Sequence, residues 1–196
     1  MYKWIAPALA AAALTFSAPG WAHKLMGAGE RVEVARSGMA LTPTTDWNKL
    51  SYRPGKFAER WTMDGEMLND VIFYTVPANE PLLREVDKRN RPLPQFQANM
   101  LAVEIPQLLE STKRIANDVA IFTTTSSTPA KLGGVDGVKF TYQFVGTDEL
   151  RRNGEAFAAI SNGTLYMISY EAPEIHYFDK DLENYRKLVE SVSIAG

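Results

Sequence analysis

The chain contains two imidazoles, His23 and His176. Imidazole suits copper. If the residues before His23 are removed, its free amine and ring can chelate copper(II), and His176 can complete a histidine brace. The plainer reading is that His23 follows a cleavage position and His176 sits on the surface in the turn after Pro173. Serine chemistry would need His176 as its base. Ser161 beside a turn and Ser169 in a strand lack the Gly-x-Ser-x-Gly elbow. Carboxylates form two groups, Asp64, Glu66 and Asp70 near one hairpin, and Glu171 with Glu174 near another turn. Such a pair can hydrolyse glycosides when one member is held protonated, although solvated hairpin acids are the ordinary case. Tyr142, Tyr166 and Tyr170, with Phe140 and Phe144, are candidates to line a pocket for an apolar or aromatic ligand. The alternative is that they pack beneath helices.

Other motifs resolve into structure. Asp179 to Glu183 lacks the central glycine of a calcium loop. Gly133-Gly134 lacks the lysine and serine that complete a phosphate loop. Asn162-Gly163-Thr164 matches a glycosylation sequon but reads as a hairpin turn.

The elements that must position these residues are mostly strands. Arg31 to Ala35 and Met39 to Thr42 are short strand candidates. Ala58 to Met63, Asp64-Gly65 and Met67 to Val76 predict a β-hairpin, because glycine and aspartate tolerate the positive φ of a tight turn. Pro77 to Pro94 holds four prolines and predicts a long irregular excursion. Phe96 to Ile115 is helical in composition, and Pro106 either breaks it or occupies the first turn of a second helix. Val119 to Ser126 and Val135 to Val145 follow as strands, the second with Phe140, Tyr142 and Phe144 alternating with polar residues. Asp136-Gly137, Asn153-Gly154 and Asn162-Gly163 are expected turns, with strands over Glu155 to Ser161 and Thr164 to Glu171. An antiparallel meander is the natural arrangement. Phe178, Leu182, Tyr185, Leu188, Val189 and Val192 then fall on one stripe of a final helix.

Met1 to Ala22 reads as a cleavable export signal: Lys3, an apolar run from Ile5 to Phe16, and small residues at Gly20 and Ala22. The run is too short for the roughly 20 residues of a membrane span. Residues 23–196 are expected to form one α+β domain, periplasmic or secreted, with no integral membrane segment. There is no cysteine, which excludes disulfides, thiolate nucleophiles, cysteine-held metals and a lipoprotein anchor. A net charge of −2 argues against a nucleic-acid partner. The one basic knot, Lys88-Arg89-Asn90-Arg91, reads as a solvated loop.

Lys131 to Ile194 resembles the C-terminal half of the PsbP-like fold. The likeness is carried by Leu132-Gly133-Gly134 with Gly137 before a long aromatic strand, by Gly163-Thr164-Leu165-Tyr166, and by Val189-Glu190-Ser191-Val192. The resemblance implies an antiparallel sheet between helices, an α/β/α sandwich, and no common active site. Its members mostly bind and assist other components. The expectation is therefore an exported, non-catalytic accessory or binding protein of the bacterial cell envelope. Its partner would be another protein or an envelope component, bound through the Pro77 to Pro94 excursion. A small-ligand or copper binder using His23, or a minor hydrolase, is the alternative.

Overall fold

In chain order the strands are β1 (Lys24–Met26), β2 (Val32–Val34), β3 (Met39–Leu41), β4 (Trp47–Lys49), β5 (Ala58–Thr62) and β6 (Asp70–Pro77). Helix α1 (Ile105–Ala116) comes next, then β7 (Ile121–Leu132), β8 (Val135–Val145), β9 (Arg151–Ser161) and β10 (Thr164–Pro173). Helix α2 (Tyr177–Glu190) and β11 (Ser193–Ile194) complete the order. This computed structural model describes residues 23–35 and 38–195. The signal segment over residues 1–22 lies outside the described residues.

Eight strands form one antiparallel sheet in the order β1-β4-β5-β6-β10-β9-β8-β7. A small sheet, β11-β3-β2, ties the chain end to the N-terminal strands. The two faces of the large sheet carry separate apolar cores. Ile105, Leu108 and Leu109 of α1 pack with Ile72, Tyr74, Phe140, Tyr142 and Met167. On the other face Phe178, Tyr185 and Leu188 of α2 pack with Trp61, Phe73, Ile168 and Tyr170. The sandwich is thus helix, sheet, helix, as the alternation along β8 and the stripe on α2 predict.

Several local expectations need correction. Asp136-Gly137 and Asn153-Gly154 are not turns but lie inside β8 and β9. The β7–β8 reversal uses Gly133 and Gly134, both at positive φ, and β8 reaches β9 through residues 146–150. Of the three expected turns Asn162-Gly163 is the one that forms, with φ of 48° and 70°, the two positive values a type I′ hairpin requires. The α1 helix starts at Ile105, so Phe96 to Leu101 is not helical. Pro106 sits in its first turn, where its missing N–H costs nothing. The proline-rich excursion is irregular but anchored, with Leu82, Leu83, Leu93 and Phe96 buried in the α1-side core.

Candidate functional site

One row of side chains crosses four strands on the α1 face. In register, Asp70 of β6 stands opposite Glu171 of β10. Glu171 stands opposite Gly154 of β9, and Gly154 opposite Tyr142 of β8. Two carboxylates directly opposite on adjacent strands repel each other. Cations on either side offset this. From β5, Arg60 places Nη2 3.0 Å from Asp70 Oδ2 and Nη1 3.3 Å from Glu66 Oε2. From the last turn of α1, Lys113 Nζ donates to Glu171 Oε2 and lies 5.0 Å from the Phe144 ring centre.

Tyr142 reaches Glu171 only because β9 carries no side chain between them. A Cβ at Gly154 would come within 2.2 Å of the Tyr142 ring. With glycine there, the ring lies across β9, stacks on Phe122 at 5.0 Å, and its hydroxyl donates to Glu171 Oε1 at 2.6 Å. A strand glycine of this kind marks a close approach rather than a bend.

Above the row opens a cleft of about 270 Å³. Its walls are the β5–β6 turn, the chain after α1, and the β8–β9 loop, with Arg60, Glu66, Asp70, Asp148, Arg152 and Glu171 among its lining. The walls are held firmly. Asn69 Oδ1 accepts from Thr62 Oγ1 at 2.7 Å and from Met63 N at 2.8 Å, and its amide donates to Asp64 and, at 3.0 Å, to Asp181 of α2. Arg152 grips Asp148 with both ends of its guanidinium, at 2.8 and 2.6 Å, which holds the Asp148 carboxyl down at about 2.

Electrostatically the floor is unusual. Burial, with the Glu171 charge adding to it and Arg60 opposing, raises the Asp70 carboxyl to about 7. Burial and the Glu171 charge push the Tyr142 hydroxyl up as well. Among the described residues, six buried side-chain polar atoms lack a hydrogen-bond partner. Four of them, Arg60 Nε, Asp70 Oδ1, Tyr74 Oη and Ser169 Oγ, belong to the α1 face of β5, β6 and β10, with Tyr74 and Ser169 close enough to interact with each other. Buried polar groups are normally satisfied, so this concentration singles out the region.

The sequence-selected residues do not converge. Tyr142 belongs to the α1-side core, and Tyr166 and Tyr170 to the α2-side core; the three do not share one pocket. Tyr170 Oη lies 3.0 and 3.1 Å from the carbonyls of Tyr177 and Phe178 and so fastens the start of α2. His23 is exposed and lines a separate recess with Tyr52, Arg60 and Glu66. His176 is exposed at the head of α2 with φ 71°, its ring against Tyr177. The two carboxylate groups fare differently: Asp70 from one hairpin and Glu171 from the other meet. No local motif marks Arg60, Asn69 or Arg152 in the sequence. For Lys113 a signal existed, since it follows Leu109 by four and continues the apolar stripe of α1.

No family model matches this chain, and no curated protein matches it in sequence. Solved structures do. The solution structure of cyanobacterial PsbP (CyanoP) from Synechocystis superposes with a TM-score of 0.57 at 12% identity, over 93% of this chain and 99% of that one. The chain has the PsbP-like fold. A Bacteroides thetaiotaomicron protein superposes with a TM-score of 0.50 at 11% identity, over 86% of this chain but 49% of its own length. At such identities the likeness concerns backbone architecture, not the residues of the cleft. Among the described residues, no helix is long and apolar enough to cross a membrane.

Proposed function

We propose that this chain is a non-catalytic accessory protein of the bacterial cell envelope, periplasmic or secreted, that recognises another protein or envelope component through the cleft above Asp70 and Glu171. The carrying observation is the cleft itself: a walled opening over buried, incompletely partnered polar groups. Structure of this sort is expensive to keep and recurs at recognition sites. The cleft lining holds neither histidine nor serine, which favours binding over acyl-transfer chemistry.

The test is partner capture from an envelope extract with the wild type, with Glu66→Lys at the cleft rim, and with Lys187→Glu on the exposed side of α2. The reading expects one partner retained by wild type and Lys187→Glu and lost with Glu66→Lys. Capture equally insensitive to both substitutions would overturn it. Export is checked by sequencing the N-terminus of periplasmic material, where His23 is the expected first residue.

One observation favours a second reading. A carboxyl group raised to about 7 beside a second carboxyl is the arrangement of a general acid and its partner. Turnover of chromogenic glycosides, abolished by Asp70→Asn, would establish it in place of the binding role.

A further inference from the structure

The cleft has a charge imbalance that defines its occupant. Four carboxylates line it, Glu66, Asp70, Asp148 and Glu171, against two guanidinium groups, Arg60 and Arg152. Arg152 is committed to Asp148. Lys113 supplies a third cation from beneath, and it is committed to Glu171. Arg60 is divided between Glu66 and Asp70. Once Asp70 ionises, which burial delays to about pH 7, one negative charge is left without its own counterpart; Asp70 shares Arg60 through Oδ2, and its Oδ1 has no hydrogen-bond partner. An anionic ligand would add to this excess. A metal ion lacks a ligand set, since among the described residues no three histidine or carboxylate groups are placed to hold one.

We propose that the cleft receives a cationic side chain, the guanidinium or ammonium of an arginine or lysine on a partner protein, which supplies the missing charge beside Asp70. This rests on the reading of the cleft as the recognition site. The size agrees: about 270 Å³ falls just below the range of about 300–1,000 Å³ typical of small-molecule sites and suits one long side chain. The surroundings agree too. Phe144, Leu68 and Pro173 in the lining can sheathe the methylene stem of such a residue. Met67, also in the lining and 63% exposed, and Leu150, 49% exposed at the end of the same loop as Asp148, offer apolar surface for a protein partner to cover. A free amine would leave that surface bare.

The binding also has a pH signature. The groups acting on Asp70 are Arg60 from β5, Glu171 from β10, Lys113 from α1 and Glu66 from the β5–β6 turn, and Arg152 of β9 and Tyr74 of β6 interact with it as well. A further cation favours the ionised carboxylate, so affinity rises with pH through about 7 and falls on acidification.

The probes are acetyl-arginine amide, acetyl-lysine amide, the neutral isostere acetyl-citrulline amide, and a short peptide carrying one arginine between apolar residues. Each is titrated into the full chain by amide NMR. The expected result is saturable binding of the cationic probes, with Kd of about 1–10 mM, and shifts at Asn69, Gly146 and Asp148. The peptide should bind more tightly than the free amide. The citrulline probe should bind at least fivefold more weakly, and Asp70→Asn and Glu66→Gln should each weaken the arginine probe by a similar factor. Equal binding of citrulline and arginine, or no saturation by ~50 mM, would overturn the inference. If the free amide binds as well as the peptide, the cation is a small solute and the protein source is wrong. Partner capture that remains sensitive to Glu66→Lys while no cationic probe binds would sink this inference and leave the recognition role standing.

Discussion

The two faces of the sheet solve the same packing problem in opposite ways. On the α2 face, tyrosines are locked. Tyr170 stacks on Phe178 and Tyr185 at 5.3 and 5.2 Å, and the Tyr185 hydroxyl lies 3.0 and 3.1 Å from the carbonyls of Ile168 and Glu155. The buried Glu155 carboxylate there is held by Lys139 and Arg186 at 3.0 and 2.8 Å, which outweighs burial and lowers its pKa. On the α1 face, Asp70 and Glu171 face each other with cations shared between them, and polar atoms are left over. A buried charge that is fully paired and hydrogen-bonded keeps a fold unique; one left short of partners destabilises it. The α2 face is built for stability, whereas the α1 face keeps a polar row at the expense of stability, which is the pattern expected where a partner must be met.

Substitutions should sharpen this contrast. The largest effect is expected from Gly154→Val, whose side chain collides with the Tyr142 ring. It should lower unfolding free energy by about 2–4 kcal/mol, read from urea titration, and move the Phe122 and Phe144 ring resonances that stack with Tyr142. Tyr185→Phe on the α2 face should cost about 1–2 kcal/mol, because the buried hydrogen bond that the single hydroxyl proton shares between the Ile168 and Glu155 carbonyls is lost. Tyr142→Phe should cost about 1 kcal/mol and leave Glu171 bound to Lys113 alone. At the exposed rim, Glu66→Gln should shift stability by less than about 0.5 kcal/mol while weakening the cationic probes. A large stability loss there would mean that the rim is structural and would blur the distinction between the faces.

Much of this architecture is legible in the residues. The period-two pattern of Phe140, Tyr142 and Phe144, the helical stripe from Phe178 to Val192, and the Asn162-Gly163 turn all specify local geometry strongly. The resemblance of Lys131 to Ile194 to the PsbP-like fold correctly anticipates helices on both faces. The two turns that do not form have one cause. Gly137 and Gly154 look like turn residues, but each is needed where another strand or ring approaches too closely for a side chain, and this depends on register between distant segments. The same holds for the site. Asp70 and Glu171 are 101 positions apart, and each looks like a hairpin acid. Parity hints at more, since Asp70 shares its face with Ile72 and Tyr74, and Glu171 with Leu165 and Met167. Their meeting nevertheless requires β6 and β10 to be neighbours, which no local pattern states. Tyr142 is separated from Tyr166 and Tyr170 for a related reason: strand parity within β8 and β10 is visible, but their relative phase is set by pairing through β9.

The stability of Asp70→Asn across pH tests the central claim most directly. Burial lifts the Asp70 carboxyl from its ordinary 3.8 to about 7. Between these values the folded protein therefore holds a proton that the unfolded chain has lost, and this contribution to stability falls as pH rises from about 4 to 7. By pH 8 the full cost is in place, on the order of 4 kcal/mol. The account predicts that Asp70→Asn unfolds at higher urea concentration than the wild type at pH 8, and that the advantage vanishes near pH 4. An Asp70→Asn protein that is less stable than the wild type at pH 8 would show that Asp70 is a well-paired structural ion, and that the two faces of the sheet do not differ in the way described.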